Sequence, residues 1–260
     1  MTSVSSLRLA LAVASLASLA ACAHPHVETE LGPLATDRPD FTETAVTIPQ
    51  GHTQVEAGVT FIKEGGVDGT SVGEILVRTG LSRRFELRVT AANYAIARTS
   101  VASAEGLEDA GLGLKIALHE GPEGPSIEPT LAAVVGTSLP TGAESFRSRR
   151  ALPEASLLGA WTVSQRVSFG SNLNWARTEA ANNEWSGSAS FAFSLSDKVG
   201  VYTEAFGFAE KVGDWQTRTY LNAGLTYLFN DAFQVDARVG TRLGGDTNGS
   251  FFGFGLARRF

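Results

Sequence analysis

From residue 52 to the last residue, apolar side chains recur at every second position, and nowhere in that span do they gather into a run of membrane-spanning helical length. In QVEAGVTFI, Val55, Ala57, Val59 and Phe61 share one face, while Gln54, Glu56, Gly58 and Thr60 share the other. In RFELRVTA, Phe85, Leu87, Val89 and Ala91 oppose Arg84, Glu86, Arg88 and Thr90. The same alternation runs through Ala110 to Leu118, Arg166 to Trp175, Trp185 to Leu195, Phe233 to Leu243 and Phe252 to Ala257, and more weakly through five further segments. A period of two is the mark of a strand whose two faces meet different surroundings. About twelve such segments, at roughly 17 residues for each strand with its connection, match transmembrane strands of about 9 to 11 residues joined by loops. The fold class this predicts is all-β, an up-and-down antiparallel transmembrane β-barrel of about twelve strands.

The two ends of the chain agree with export to an outer membrane. Residues 7 to 21, LRLALAVASLASLAA, form an apolar run behind the single cation Arg8, which is the layout of a signal peptide covering residues 1–21. It closes on Leu19-Ala20-Ala21-Cys22, which resembles a lipobox with Cys22 as the lipidated residue, while Ala21-Cys22-Ala23 offers an ordinary A-x-A cleavage site. At the other end, SFFGFGLARRF is patterned to its final residue, Phe260. A barrel must pair its last strand with its first, because unpaired backbone groups are costly in lipid. The terminal Phe also resembles the signal read by the outer-membrane assembly machinery, so the expected partners are that machinery, outer-membrane lipids and a small-molecule solute.

Composition excludes several classes. Cys22 is the single cysteine, which removes disulfides, thiolate metal sites and cysteine catalysis from the mature protein. His24 and His26 stand two apart in the leader region, short of the four ligands of a structural site, so no metal is expected. The formal charge of −6, one unit more negative once Arg8 leaves with the leader, speaks against nucleic acid, which wants a basic face. No motif calls for a cofactor.

The connections alternate as well: LSRR, EGPEGPS, VSQR, LSDK and FNDAF are the shorter set, with longer polar stretches such as KEGGVDGTS and EKVGDWQ between them. In outer-membrane barrels the short turns are periplasmic, which places both termini in the periplasm. The polar face of the strands then lines the lumen. Candidate lining residues are Glu56, Glu86, Arg88, Lys115, Glu128, Arg166, Glu204, Arg218, Asp236, Arg238 and Arg242, with Glu74, Arg78 and Glu154 in the same phase. A row of mixed sign reads either as a polar conduit for small molecules or as a self-satisfied ionic network that seals the lumen. Twelve strands lie between the filled eight-stranded barrels and the open sixteen-stranded ones. A third reading, an outer-membrane lipid hydrolase, would need a serine beside a base such as His119, and no G-x-S-x-G motif flags one, so no catalytic residue is assigned.

Residues 22–51 form a periplasmic segment before the barrel proper at 52–260. It contains Asp37-Arg38-Pro39-Asp40-Phe41-Thr42-Glu43 and then Ile48-Pro49-Gln50-Gly51-His52. This stretch, with Leu81-Ser82-Arg83-Arg84-Phe85-Glu86-Leu87 and the terminal Phe260, resembles the transporter-like outer-membrane family named for the meta-cleavage (MetA) pathway of phenol degradation. The resemblance implies an outer-membrane barrel that assists uptake of small, often aromatic compounds. The segment itself reads either as a strap folded into or across the periplasmic mouth or as a flexible tether between a lipidated Cys22 and the barrel. Asp37, Asp40 and Glu43 are expected to meet inward arginines such as Arg238 and Arg242, and Arg38 an inward carboxylate such as Glu56 or Glu204.

Overall fold

The computed structural model describes residues 31–32, 34–38, 40–243 and 248–260; the leader, Cys22, His24, His26 and Pro39 lie outside the described residues. The strands are β1 (Thr53–Glu64), β2 (Val67–Gly80), β3 (Phe85–Thr90), β4 (Tyr94–Arg98), β5 (Ser103–Leu107), β6 (Ala110–His119) and β7 (Thr130–Leu139). They continue as β8 (Leu152–Ser164), β9 (Val167–Arg177), β10 (Asn183–Ser194), β11 (Val199–Val212), β12 (Asp214–Asn230), β13 (Phe233–Leu243) and β14 (Gly249–Arg259). All pair antiparallel in one sheet, and β1 pairs both β2 and β14, so the sheet closes on itself.

The fourteen strands make twelve crossings of the wall. β3 and β4 both pair β2, one along its lower and one along its upper half, and β6 and β5 pair them in turn. The breaks fall at 91–93 and 108–109, and at the same level β2 bulges against β1 between Glu56 and Gly58. There Gly73 and Glu74 take positive φ of 105° and 42°, which bends the strand and re-aims Glu74, whose carboxylate then pairs with Arg38.

Faces are inverted relative to a water-soluble protein. Apolar residues stand exposed around the outside, among them Leu112 (49%), Phe254 (54%) and Val239 (60%), while Glu56, Arg78, Glu86 and Lys115 are fully buried inside. Only a lipid surround makes this arrangement stable: the apolar row meets hydrocarbon and the charged row meets its partners.

Turns 81–84, 120–129, 165–166, 195–198 and 231–232 share one end with the start of β1 and with Phe260, where Thr53 and Phe260 exchange backbone bonds of 3.2 and 2.8 Å. The opposite end differs from the expected long loops. KEGGVDGTS and EKVGDWQ are tight hairpins, turning at Gly65 and Gly66 (φ 61° and 79°) and at Gly213 (φ 73°), positions that suit glycine. Their strands run on past the apolar band, where neither face is buried in lipid and alternation fades from the sequence. The connection at 140–151 stays a genuine loop.

Candidate lumen site

The segment before β1 enters the barrel and crosses it. Its root is gripped by main chain as much as by side chain. Glu56 accepts the amides of Asp37 and Arg38, both at 3.0 Å, and Arg78 Nη1 and Gln54 Nε2 donate to the carbonyl of Ala35 at 2.8 and 3.1 Å. Further along, Lys115 Nζ donates to the carbonyl of Thr44 (2.8 Å), Arg78 Nη2 to that of Val46 (3.0 Å), and the Ile48 amide donates to Glu86 (2.8 Å). Ala45 packs against inward Ala132, Val134 and Leu158.

Asp37 is the charge centre of this grip. Its carboxylate pairs with Arg88 and lies 3.4 Å from Arg78 Nε and 3.3 Å from Lys115 Nζ, while Arg88 also holds Glu43 at 2.8 Å. Burial pushes the Asp37 carboxyl up, but Arg78, Lys115 and Arg88 together hold it well below the usual carboxylate range. Buried charges are tolerated here because each has a bonded partner of opposite sign.

The tip of the segment reaches the far wall, formed by β10 to β12. Glu204 accepts the amides of Phe41 (2.9 Å) and Thr42 (2.6 Å), the Thr42 hydroxyl (2.6 Å) and Asn222 Nδ2 (3.0 Å). Asp40 receives Ser190 Oγ at 3.3 Å; burial, and then the Glu204 charge, raise its carboxyl well above the usual range. The Phe41 ring lies parallel on Phe206, with centroids 4.7 Å apart, and edge-on to Phe208 at 5.3 Å. Tyr220 stacks on Phe206 at 5.0 Å, and Phe251 stands 6.3 Å away. The guanidinium groups of Arg218 and Arg238 sit over Phe208 and Phe251. The lumen therefore has two unlike walls, one ionic and one an aromatic shelf.

Of the residues expected to line the lumen, Glu56, Glu86, Arg88, Lys115, Glu204 and Asp236 are buried inside it. Arg238 bonds Thr60 Oγ1 at 2.7 Å, Arg242 bonds Glu64 at 2.7 Å, and Arg218 reaches Glu184 at 2.6 Å while staying about half exposed. Two expectations fail. Glu128 is exposed in the turn 120–129, where it pairs with His119 at 2.7 Å, and Arg166 is exposed in the turn 165–166. In both cases the alternation in the sequence begins ahead of the strand, which starts at Thr130 and at Val167.

The strap's partners also differ from those expected. Asp37 and Glu43 meet Arg78, Arg88 and Lys115 on β2, β3 and β6 rather than Arg238 or Arg242, and Asp40 meets Ser190. Arg38 pairs with Glu74, lies 3.6 Å from Asp236 and donates to the Phe254 carbonyl at 3.3 Å. The aromatic shelf was missed, although Phe206 and Phe208 share the phase of Glu204, a signal available from spacing alone. Among the described residues no group of three or more His, Cys, Asp or Glu is arranged to hold a metal ion.

Comparison with known proteins places this geometry. A family model described as "Putative MetA-pathway of phenol degradation" matches residues 36–260. Similar solved structures include the COG4313 outer membrane channel from Pseudomonas putida F1, at 12% identity and TM-score 0.64, covering 86% of this chain and all of that one. The NanC porin (8% identity, TM-score 0.56) and the KdgM porin (13%, 0.51) cover 78% and 79% of this chain and 98% and 99% of their own. At such identities the likeness is one of fold. No curated protein matches the chain.

Proposed function

The chain belongs to the MetA-pathway phenol-degradation family, and from that membership and the lumen geometry we propose that it is an outer-membrane channel passing small molecules, aromatic ones among them, by diffusion. The observation that carries this reading is the aromatic shelf of Phe206, Phe208, Tyr220 and Phe251 inside a largely polar lumen. Aromatic rings turned away from lipid gain nothing from the bilayer. Facing a water-accessible passage, they offer stacking surfaces to a planar solute, with Arg218 and Arg238 supplying cationic edges.

The second reading, a sealed structural barrel, draws on the opposite wall, where the strap and its buried charges fill the space beside β1, β2, β3 and β6. Single-channel conductance in planar bilayers, paired with uptake of a radiolabelled aromatic into proteoliposomes, separates the two. Discrete openings with uptake faster than in empty vesicles support the channel; a silent bilayer with no uptake supports the sealed barrel.

In this reading the end that carries the termini and short turns faces the periplasm, residues 1–21 are removed on export, and Phe260 is presented to the assembly machinery during insertion. Lipidation of Cys22 is tested by labelled fatty acid, which wild type incorporates and Cys22→Ser does not; an unlabelled wild type indicates cleavage at the A-x-A site instead.

A further inference from the structure

We propose that Phe41 occupies, from within the chain, the seat of a soluble aromatic ring, and that an aromatic solute opens the passage by displacing it. The proposal rests on the channel reading above and adds to it the regulation of the same site. Three near-parallel rings stand in sequence, Tyr220, Phe206 and Phe41, at 5.0 and 4.7 Å with interplanar angles of 12° each. Two belong to the wall. The third is carried by the strap, and it also meets the edge of Phe208 as an inserted ligand would.

The strap is built to let its tip go while its root stays. The ion pairs of Asp37 with Arg78, Arg88 and Lys115, and the amides of Asp37 and Arg38 on Glu56, fix the root to β1, β2, β3 and β6. The tip is held on the far wall by the Phe41 stack, by the Glu204 carboxylate, and by the serine hydroxyls of β10, Ser188 on Thr42 and Ser190 on Asp40. A planar ring of benzene size that takes the face of Phe206 now covered by Phe41 removes the stack and leaves the tip on its polar bonds alone, chiefly those of Glu204 to the Phe41 and Thr42 amides and the Thr42 hydroxyl. Because solute and Phe41 claim the same face, the solute binds only the form with the tip withdrawn. That exclusive preference is what a ligand needs to shift a conformational equilibrium. A saturated ring of equal bulk cannot offer the same face-to-face stack.

The test is hydrogen exchange, read by mass spectrometry at the amides of Phe41 and Thr42 in the detergent-solubilised full chain, with phenol or cyclohexanol added. Phenol is expected to speed exchange at these two amides saturably, on the order of fivefold or more, with the amides of Asp37 and Arg38 unchanged and cyclohexanol without effect. In Phe41→Ala the Thr42 amide should exchange fast from the start and ignore phenol. No response to phenol in the wild type, an equal response to cyclohexanol, or a persisting response in Phe41→Ala each overturns the displacement. Conductance recorded in parallel, with and without phenol, keeps the two ideas apart. An open channel without an exchange response overturns displacement alone, and a phenol response in a barrel that never conducts overturns the channel reading, and the opening with it, while displacement stands.

Discussion

The guanidinium of Arg38 lies flat on Gly58, in the space that a β-carbon on that glycine would occupy. Gly58 is paired across the ladder with Gly255 of β14, and a β-carbon there would collide with the same guanidinium. Glycine at both positions leaves a shallow seat, and from it Arg38 reaches Glu74 on β2, Asp236 on β13 and the Phe254 carbonyl on β14. One strap residue thus ties together four strands around the place where the barrel closes.

Gly58→Ala should therefore unseat Arg38 without harming the barrel. The expected result is a strap that is cleaved faster by added protease and a higher single-channel conductance, with heat-modifiable gel migration unchanged. Gly187→Ala is the matched control, since a β-carbon there meets only the Asn172 carbonyl at an ordinary 3.6 Å.

Glu204→Gln keeps shape and removes charge at the tip anchor. A charge-assisted bond contributes about 1.5–3 kcal/mol, and Glu204 makes three of its four bonds to the strap. Conductance should rise while the thermal midpoint of the barrel falls by only a few degrees; an unchanged conductance would show that the tip is held without the Glu204 charge.

The Asp37 cluster gives a pH signature. A carboxyl held below its unfolded value of about 3.9 contributes stability that is present above that value and lost as pH falls through the lower folded one. The share of the root's protease protection that Asp37 supplies, read as the difference between wild type and Asp37→Asn, should stay flat down to about pH 4 and be lost only in stronger acid. Asp37→Asn leaves Arg88 and Lys115 buried with one partner fewer, a change that costs about 3–5 kcal/mol in comparable sites. It should show at neutral pH the loss that wild type shows only in acid.

The outward face is tested at Leu112, half exposed on β6. Leu112→Arg should lower folding stability in lipid by about 2–4 kcal/mol if the site is near the midplane, as measured by urea titration in vesicles. Gly113, its inward neighbour, has the Val135 carbonyl 3.3 Å from where a β-carbon would stand, so Gly113→Ala should cost through crowding and be insensitive to lipid thickness.

The wall was legible because lipid and lumen impose opposite chemistry on alternate residues, as Leu112 and Gly113 show. Where that contrast fades, so did the reading: Glu128 and Arg166 lie in turns, and the upper reaches of β1, β2, β11 and β12 are paired ribbons that the sequence presents as polar loops. The strap's place at the lumen was suggested by its charges, but its partners were not. Glu56, Glu86 and Glu204 take hold of amides, which every residue but proline carries, so no side-chain complementarity announces the contact. The choice of Arg78, Arg88 and Lys115 for Asp37 depends on which strands stand side by side around the ring, and alternation within one strand holds no record of that.

The joint between Thr53 and Phe260 has a consequence for the order in which the molecule comes into being. Most neighbouring strands meet across a turn of a few residues, so they can find each other locally and early. β1 and β14 meet across roughly 200 residues, and the logarithmic growth of chain entropy with loop length makes that meeting costlier than a hairpin by about 3 kcal/mol. Closure of the ring is therefore expected after the hairpins, and it needs β14 in place. Until β14 docks on β1 there is a ribbon of hairpins and no inside, and so no chamber for the strap to enter: the segment ahead of β1 waits for the far side of the ring before it has a place to bind.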